Sequence, residues 1–298
     1  AAAVHGLSLE GFPFRDMTMH PQRERLHNEL HARPSIYFDE PATLHHYALL
    51  DEAGACEAVL ARLGELIGTP PDREAVQQIL EVEGLTLKWE RHTEFLTLTL
   101  LVPRAPEEEA WPAPPALLDT LVGPNHAQLI SATQVLVESA HRWAGRPSDY
   151  GFRDPSASRG GDGDAIVWSD FHLTDSGVNR LLLVNQGLDA FRLGRMTRRL
   201  LEIETYRMMA SLALPLAKEL ERVLQAHEQE LGELSERNAE REAESSRPLL
   251  GAISELSARL ERSGARSRRR FSATEAYSRI VFTRIEELRE SRIGESPR

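Results

Sequence analysis

Cysteine is nearly missing from these 298 residues. Cys56 stands alone, which excludes an internal disulfide framework and any zinc site built from several thiolates. Such scarcity fits a reducing compartment. Lysine is almost as rare, present only as Lys88 and Lys218. Positive charge falls short of negative: 35 Lys and Arg stand against 46 Asp and Glu, a net charge of −11 and a pI of about 5.5. An acidic chain offers phosphates no general positive surface, so nucleic acid is not an expected partner. No apolar run approaches the ~18–20 residues that cross a bilayer. The best, Met208–Ala217, is too short and reads as a buried helix. Ala1–Gly6 lacks the basic and then apolar regions of a secretory signal. Glycine-rich phosphate loops and the G-x-S-x-G elbow are missing, and Asp162-Gly163-Asp164 is too short for a calcium loop. No standard enzyme class is indicated.

What is present is a hydrophobic fraction of 41%, enough to build a core. The chain changes character near Gly187: short mixed runs broken by Pro and Gly precede it, and long helical periodicities follow. This predicts an α/β (α+β) domain over 1–186 with a mixed, largely antiparallel sheet, and a long-helix region over 187–298. Thr43–Leu50 reads as a strand, Glu57–Ile67 as a helix stopped at Gly68, and Asp72–Glu81 as a second short helix. Leu85, Leu87 and Trp89 alternate with Thr86, Lys88 and Glu90, a half-buried strand. Leu96–Val102 pairs with it across a turn near Arg91–Glu94. The Pro-rich stretch 103–115, with Glu107-Glu108-Glu109, reads as a solvated loop. Leu129–Val137, Ile166–Leu173 and Arg180–Val184 are further strands, with a polar loop over Asp154–Asp164.

In the second half, Met196, Leu200, Ile203, Ala210 and Leu214 keep helical spacing until Pro215 kinks the helix or starts another. Leu220, Val223, Leu224, Leu231 and Leu234 continue an apolar stripe. Ser235–Arg247 is nearly all polar, an exposed helix or a turn. Pro248 opens a helix carrying Leu249, Ile253, Leu256 and Leu260, which Gly264 is expected to end. Arg266-Ser267-Arg268-Arg269-Arg270 then reads as a basic loop. Ser272-Ala273-Thr274-Glu275 is a capping box for a last helix, buried through Ala276, Ile280, Val281, Ile285 and Leu288. Such stripes need one another, the sheet or a partner chain.

Five clusters carry possible chemistry. His27 and His31 share a helix face, with Asn28, Glu29 and Arg33 close by, but Glu29 points away and neither zinc-protease order is matched. Structural hydrogen bonding is the favoured reading, and no metal site is expected there. Arg91, His92, Thr93 and Glu94 place a base, a ring and an acid at a hairpin turn, favoured as a turn locked by an Arg–Glu pair. Asp170 and His172 share a strand face, a possible proton-transfer pair and more simply surface polarity. Arg192, Arg195 and Arg199 form a helix stripe beside Arg198, continuing to Glu202 and Tyr206. Cations near a helix N-terminus oppose its dipole by ~0.3–1 kcal/mol each, so they pair internally or meet an anion or lipid headgroup. Arg268, Arg269 and Arg270 are default solvated residues with anionic lipid as the sharper alternative. Cys56 is expected in the core.

Leu26-His27-Asn28-Glu29-Leu30-His31-Ala32-Arg33-Pro34, then Trp89–Phe95, then Arg199–Ala210 together resemble a bacterial family of unknown function, numbered thirty-four twenty-two and described as predicted membrane-anchored proteins. The resemblance runs from about His20 to Ile293. It implies a hydrophobic C-terminal segment beyond these residues, so that the chain is expected to be soluble as a fragment at the cytoplasmic face of a bacterial membrane. It also implies a plan similar to CorA-type divalent-cation channels, with a soluble head and stalk helices. The leading expectation is a non-enzymatic cytoplasmic domain of a membrane-anchored homo-oligomer. The alternatives are a CorA-like transport or sensing module that binds a divalent cation, and an enzyme acting on a small anionic substrate through the His/Arg/Glu motifs. No cofactor is identified.

Overall fold

In Phe95–Pro103, leucines on one side alternate with Phe95, Thr97 and Thr99 on the other, a period of two that suits a strand covered on both faces. The computed structural model describes residues 20, 34–105, 108, 110–143, 145–239 and 247–293. The contacts divide the chain after Pro34, and the elements below belong to the unit that starts at Ser35. They are β1 (Ala42–Leu50), α1 (Ala55–Ile67), β2 (Gln77–Val82), β3 (Leu85–Arg91), β4 (Phe95–Pro103), α2 (Ala116–Val122), β5 (Leu129–Ser139), β6 (Ser156–Gly160), β7 (Ala165–Ser169), β8 (Asn179–Asn185), α3 (Ala190–Ser211), α4 (Leu214–Ala239), α5 (Arg247–Leu288) and β9 (Ser291–Arg292). The strands form one sheet in the order β2-β3-β4-β1-β5-β8-β7-β6-β9. Every pairing is antiparallel except β5 with β8. The mixed, largely antiparallel sheet followed by long helices is the fold class expected.

Both faces of the sheet are covered. On one, Leu49, Leu87, Trp89, Leu96, Leu98 and Leu100 pack against Val59, Leu60 and Leu63 of α1 and Leu118 and Leu121 of α2. On the other, Leu44, Val135, Val137, Leu181 and Leu183 meet Leu193, Met196, Leu200 and Leu201 of α3 and Leu288 of α5. Lys88 therefore does not lie on a half-buried strand: α3 roofs its face, leaving the residue 3% exposed.

Several local expectations change. Asp72–Glu81 is not a helix. Asp72 accepts the Glu74 N–H at 3.0 Å in a turn, and β2 then pairs with β3 through Glu83-Gly84, both at positive φ. A two-residue hairpin turn of this hand demands that conformation, which glycine adopts freely. The polar loop 154–164 contains β6, edge-paired to β7 and β9. The Pro-rich stretch is not wholly solvated: Trp111 donates to the Tyr150 carbonyl at 2.8 Å and lies over Leu136, Leu182 and Val184 with Trp143 and Phe152. Glu107 and Glu109 lie outside the described residues, as do 240–246.

The largest difference is in α5, which runs unbroken for 42 residues, ~63 Å at 1.5 Å per residue. Gly264 does not end it, the basic segment 266–270 is helical, and the Ser272–Glu275 capping box sits inside it, where the Thr274 hydroxyl donates to the Ala210 carbonyl at 3.1 Å. The reason is packing. The shielded positions of α5, namely Leu249, Ala252, Leu256, Arg259, Ser263, Ser267 and Arg270, recur at spacings of three and four. Leu220, Val223, His227, Glu230 and Leu234 of α4 do the same. This is the seam of an antiparallel pair, pinned by Arg259 on Glu230 at 2.5 Å. A continuous seam outweighs the ~1 kcal/mol that an interior glycine costs. Pro215, which has no N–H to give the helix, marks the kink between α3 and α4, as expected. The C-terminal half of α5 lies along α3, and its N-terminal half lies along α4.

Candidate functional site

On the face of β1, β3 and β4 under α3 the apolar core gives way to a cluster of ionisable groups. His46, Lys88, Glu90, Thr97 and Thr99 project from the strands, and Arg198, Glu202, Thr205 and Tyr206 come from α3; Ser35 and Ile36 close one end and His92 and Phe95 the other. Strand period and helix period meet here: alternate β residues face α3, and residues 198, 202, 205 and 206 form one turn-spaced patch on its underside. About 40 Å³ remains for the centres of water molecules, room for a few waters only.

His46 has both ring nitrogens occupied, Nδ1 at 2.8 Å from the Thr99 hydroxyl and Nε2 at 2.9 Å from the Thr205 hydroxyl. Burial, helped by the nearby Lys88 charge, lowers its pKa to about 3. It is neutral at pH 7 and leaves no nitrogen open for a substrate proton. Lys88 is pushed down by burial while Glu90, 3.1 Å away, pulls the other way. Arg198 lies 3.7 Å from Glu202, which also takes the Arg284 guanidinium from α5. Among the described residues, two cations and two carboxylates from strand and helix line this cleft. These pairs lie within β3 and within α3, and the hydrogen bond from His46 to Thr205 is what joins the sheet to the helix here.

The residues singled out from the sequence have different fates. His27, Asn28, Glu29, His31 and Arg33 lie outside the described residues. Arg91, His92, Thr93 and Glu94 do sit at the β3–β4 turn, but they do not form one site. Arg91 turns to Glu57 at 3.0 Å and to the Arg73 carbonyl at 2.9 Å, not to Glu94. Glu94 instead binds Arg270 at 3.1 and 3.2 Å and the Tyr277 hydroxyl at 2.8 Å. His92 stacks on Phe95 at 4.1 Å, and Phe95 meets Tyr206 and Tyr277 edge-on. The second and third motifs therefore converge as an aromatic and ionic clasp. Thr93 faces the adjoining surface beside Arg269 and Arg270.

Of the arginine stripe, Arg192 pairs with Asp164 at 2.6 Å and Arg199 with Glu287 at 2.9 Å, while Arg195 is exposed and makes no ion pair among the described residues. Arg270 holds Glu94, whereas Arg268 and Arg269 are exposed. The two basic groups do not merge: Arg289, which lines a separate cleft with Arg192, Arg195 and Arg199, lies about 20 residues, or ~30 Å, along the chain from Arg268. Asp170 and His172 are not on a strand. β7 ends at Ser169, Phe171 adopts a positive φ, and the Asp170 carboxylate accepts the His172 N–H at 3.1 Å in a local turn. Cys56 is in the core as expected, and burial raises its pKa to about 12.

Sequence reasoning missed His46, Lys88, Thr97, Thr99 and Thr205. The signal was there in part. Threonines at alternate positions of a leucine strand, opposite one of only two lysines, mark a polar stripe, but only α3 makes it an interior one.

Among the described residues no group of three or more His, Cys, Asp or Glu is arranged to hold a metal ion, and no helix is long and apolar enough to cross a membrane. No curated protein and no solved structure shows significant similarity to the chain. The family profile of a protein of unknown function, DUF3422, matches residues 18–298. All three motifs fall inside that span, and the chain belongs to the DUF3422 family.

Proposed function

We propose that this protein is a non-enzymatic assembly module, a homo-oligomer joined through the α4–α5 hairpin and held at the cytoplasmic face of a bacterial membrane. The tether rests on the family resemblance. The assembly rests on one observation, the asymmetry of the hairpin's two flanks. Because α4 and α5 run in opposite directions, the residues one position past the seam on each helix share a side. On that side stand Leu224 and Leu231 of α4 and Ile253, Leu260 and Phe271 of α5, between 37% and 52% exposed, interspersed with the exposed Glu221, Glu228 and Arg268. The residues one position before the seam include no large apolar side chain: Glu219, Arg222, Glu233, Glu255, Arg262, Arg266 and Arg269 are interspersed with small or neutral residues, and Arg266 lies on Glu219 at 3.7 Å. One flank suits water and the other suits another helix.

A second copy is the occupant that the charges favour. α4 carries six glutamates against Lys218, Arg222 and Arg237, whereas α5 carries nine arginines against five glutamates. Two hairpins related by a two-fold axis place acidic α4 on basic α5 at both contacts, closing a four-helix bundle. The cleft beneath α3, with both nitrogens of His46 hydrogen-bonded and room for a few waters only, supports the non-enzymatic half of the reading. Light scattering tests the assembly directly. The wild-type chain is expected at twice its 33.4 kDa mass or a higher multiple. Leu231→Glu with Leu260→Glu is expected at the monomer mass with an unchanged circular dichroism spectrum. A wild-type monomer at 100 µM overturns the proposal.

A further inference from the structure

A second cleft lies at the opposite end of α3 from the aromatic clasp, and its chemistry differs. Arg192, Arg195 and Arg199 on successive turns of α3, with Arg289 just past α5, line about 360 Å³ of water-accessible space. Three carboxylates answer these four guanidinium groups: Asp164 on Arg192, Glu287 on Arg199 and Asp162 on Arg289 at 2.6 Å. In a molecule of net charge −11 this spot keeps a surplus of positive charge, and Arg195 carries it.

We propose that this cleft binds a phosphate monoester group. Each paired arginine commits one or two of its five N–H donors: Arg192 uses one terminal nitrogen for Asp164 and the Gly161 carbonyl, Arg199 uses Nε, and Arg289 uses one terminal nitrogen. The remaining donors, with the whole Arg195 fork, suit a tetrahedral oxyanion. The ion pairs are half-exposed and hold only weakly, so an incoming anion shares their donors without stranding a buried charge. Met196 forms part of the wall, and behind it lies a second groove that is mostly apolar, lined by Val167, Leu200, Ile203 and Ile285. An anionic head beside an apolar groove admits two sources of the same group, a free phosphate and the head of a phospholipid. The inference does not depend on the assembly reading, since none of these arginines lies on the apolar flank of the hairpin.

The test uses the full chain at constant ionic strength, with inorganic phosphate and a short-chain lysophosphatidate below its micelle concentration as probes, read by calorimetry and thermal melting. Both probes are expected to bind the wild type. Arg195→Gln is expected to weaken them about tenfold, since a charge-assisted contact is lost. Arg268→Gln with Arg269→Gln, which removes charge elsewhere on α5, is expected to leave both affinities unchanged. Lysophosphatidate binding tenfold or more tighter than phosphate supports the lipid source. Equal affinities support the free anion. Binding that is absent, that survives Arg195→Gln, or that falls equally in the Arg268/Arg269 variant overturns the site.

Discussion

Arg270, midway along α5, grips the Glu94 carboxylate at the tip of the β3–β4 hairpin with both terminal nitrogens, at 3.2 and 3.1 Å, across 176 residues of sequence. The Tyr277 hydroxyl, two turns later, donates to Oε2, one of the two oxygens that Arg270 holds. This one acid ties the sheet to the longest helix, so the turn motif and the basic segment serve a common structural purpose.

Removing that grip is expected to loosen α5 from the sheet. Arg270→Ala should lower stability by about 1–2 kcal/mol, a charge-assisted bond discounted for its partial exposure. Glu94→Gln should cost less, because an amide still accepts from Tyr277. Urea unfolding measures both. An Arg270→Ala protein as stable as the wild type would show that the clasp carries no net energy.

Acid is expected to weaken the fold through the buried histidines. Burial lowers the pKa of His46 to about 3 and of His45 to about 4. Between roughly pH 6.5 and these values the unfolded chain takes up protons that the folded one refuses. Stability therefore falls as pH drops, by about 1.4 kcal/mol per pH unit for each histidine inside that window. Denaturant melts from pH 7 to 4.5 check the slope, and His46→Gln should flatten it by about one histidine's share.

Gly194 marks the closest approach of α3 to the chain before β1. A Cβ built there would stand 2.1 Å from the Ile36 carbonyl oxygen, an overlap with backbone that no rotamer relieves. Gly194→Ala should cost about 3 kcal/mol, at the severe end of overpacking. A neutral result in chemical denaturation would mean that α3 can shift on the sheet.

Gly264 should behave in the opposite way. Its α-carbon faces open space within an intact helix, so Gly264→Ala is expected to raise stability by about 1 kcal/mol. Were the helix instead to end at this residue, alanine would lower the melting temperature.

β1, β3, β4, β5, β7 and β8, with α1, the start of α3 and the break at Pro215, were legible in the sequence because each is written in a local code: alternation, amphipathic spacing, a missing N–H, whereas β2 read as a helix and β6 as a loop. The errors cluster where two parts of the chain meet. Gly264 looked like a helix end because propensity is a property of one residue, while the seam that carries α5 past it belongs to α4 as well. Arg91 and Glu94 looked like partners because they are neighbours, yet Glu57 and Arg270 lie nearer in space.

Read alone, the sequence determined that this is an acidic α/β chain with a largely antiparallel sheet, long C-terminal helices, one buried thiol and none of the usual catalytic signatures, since composition and periodicity act within a few residues of themselves. Only the tertiary structure decided that Lys88 and His46 lie beneath α3, that four arginines crowd one cleft, and that one flank of the hairpin stays apolar. Burial and charge balance depend on which segments pack together, and that choice is made by surfaces far apart along the chain.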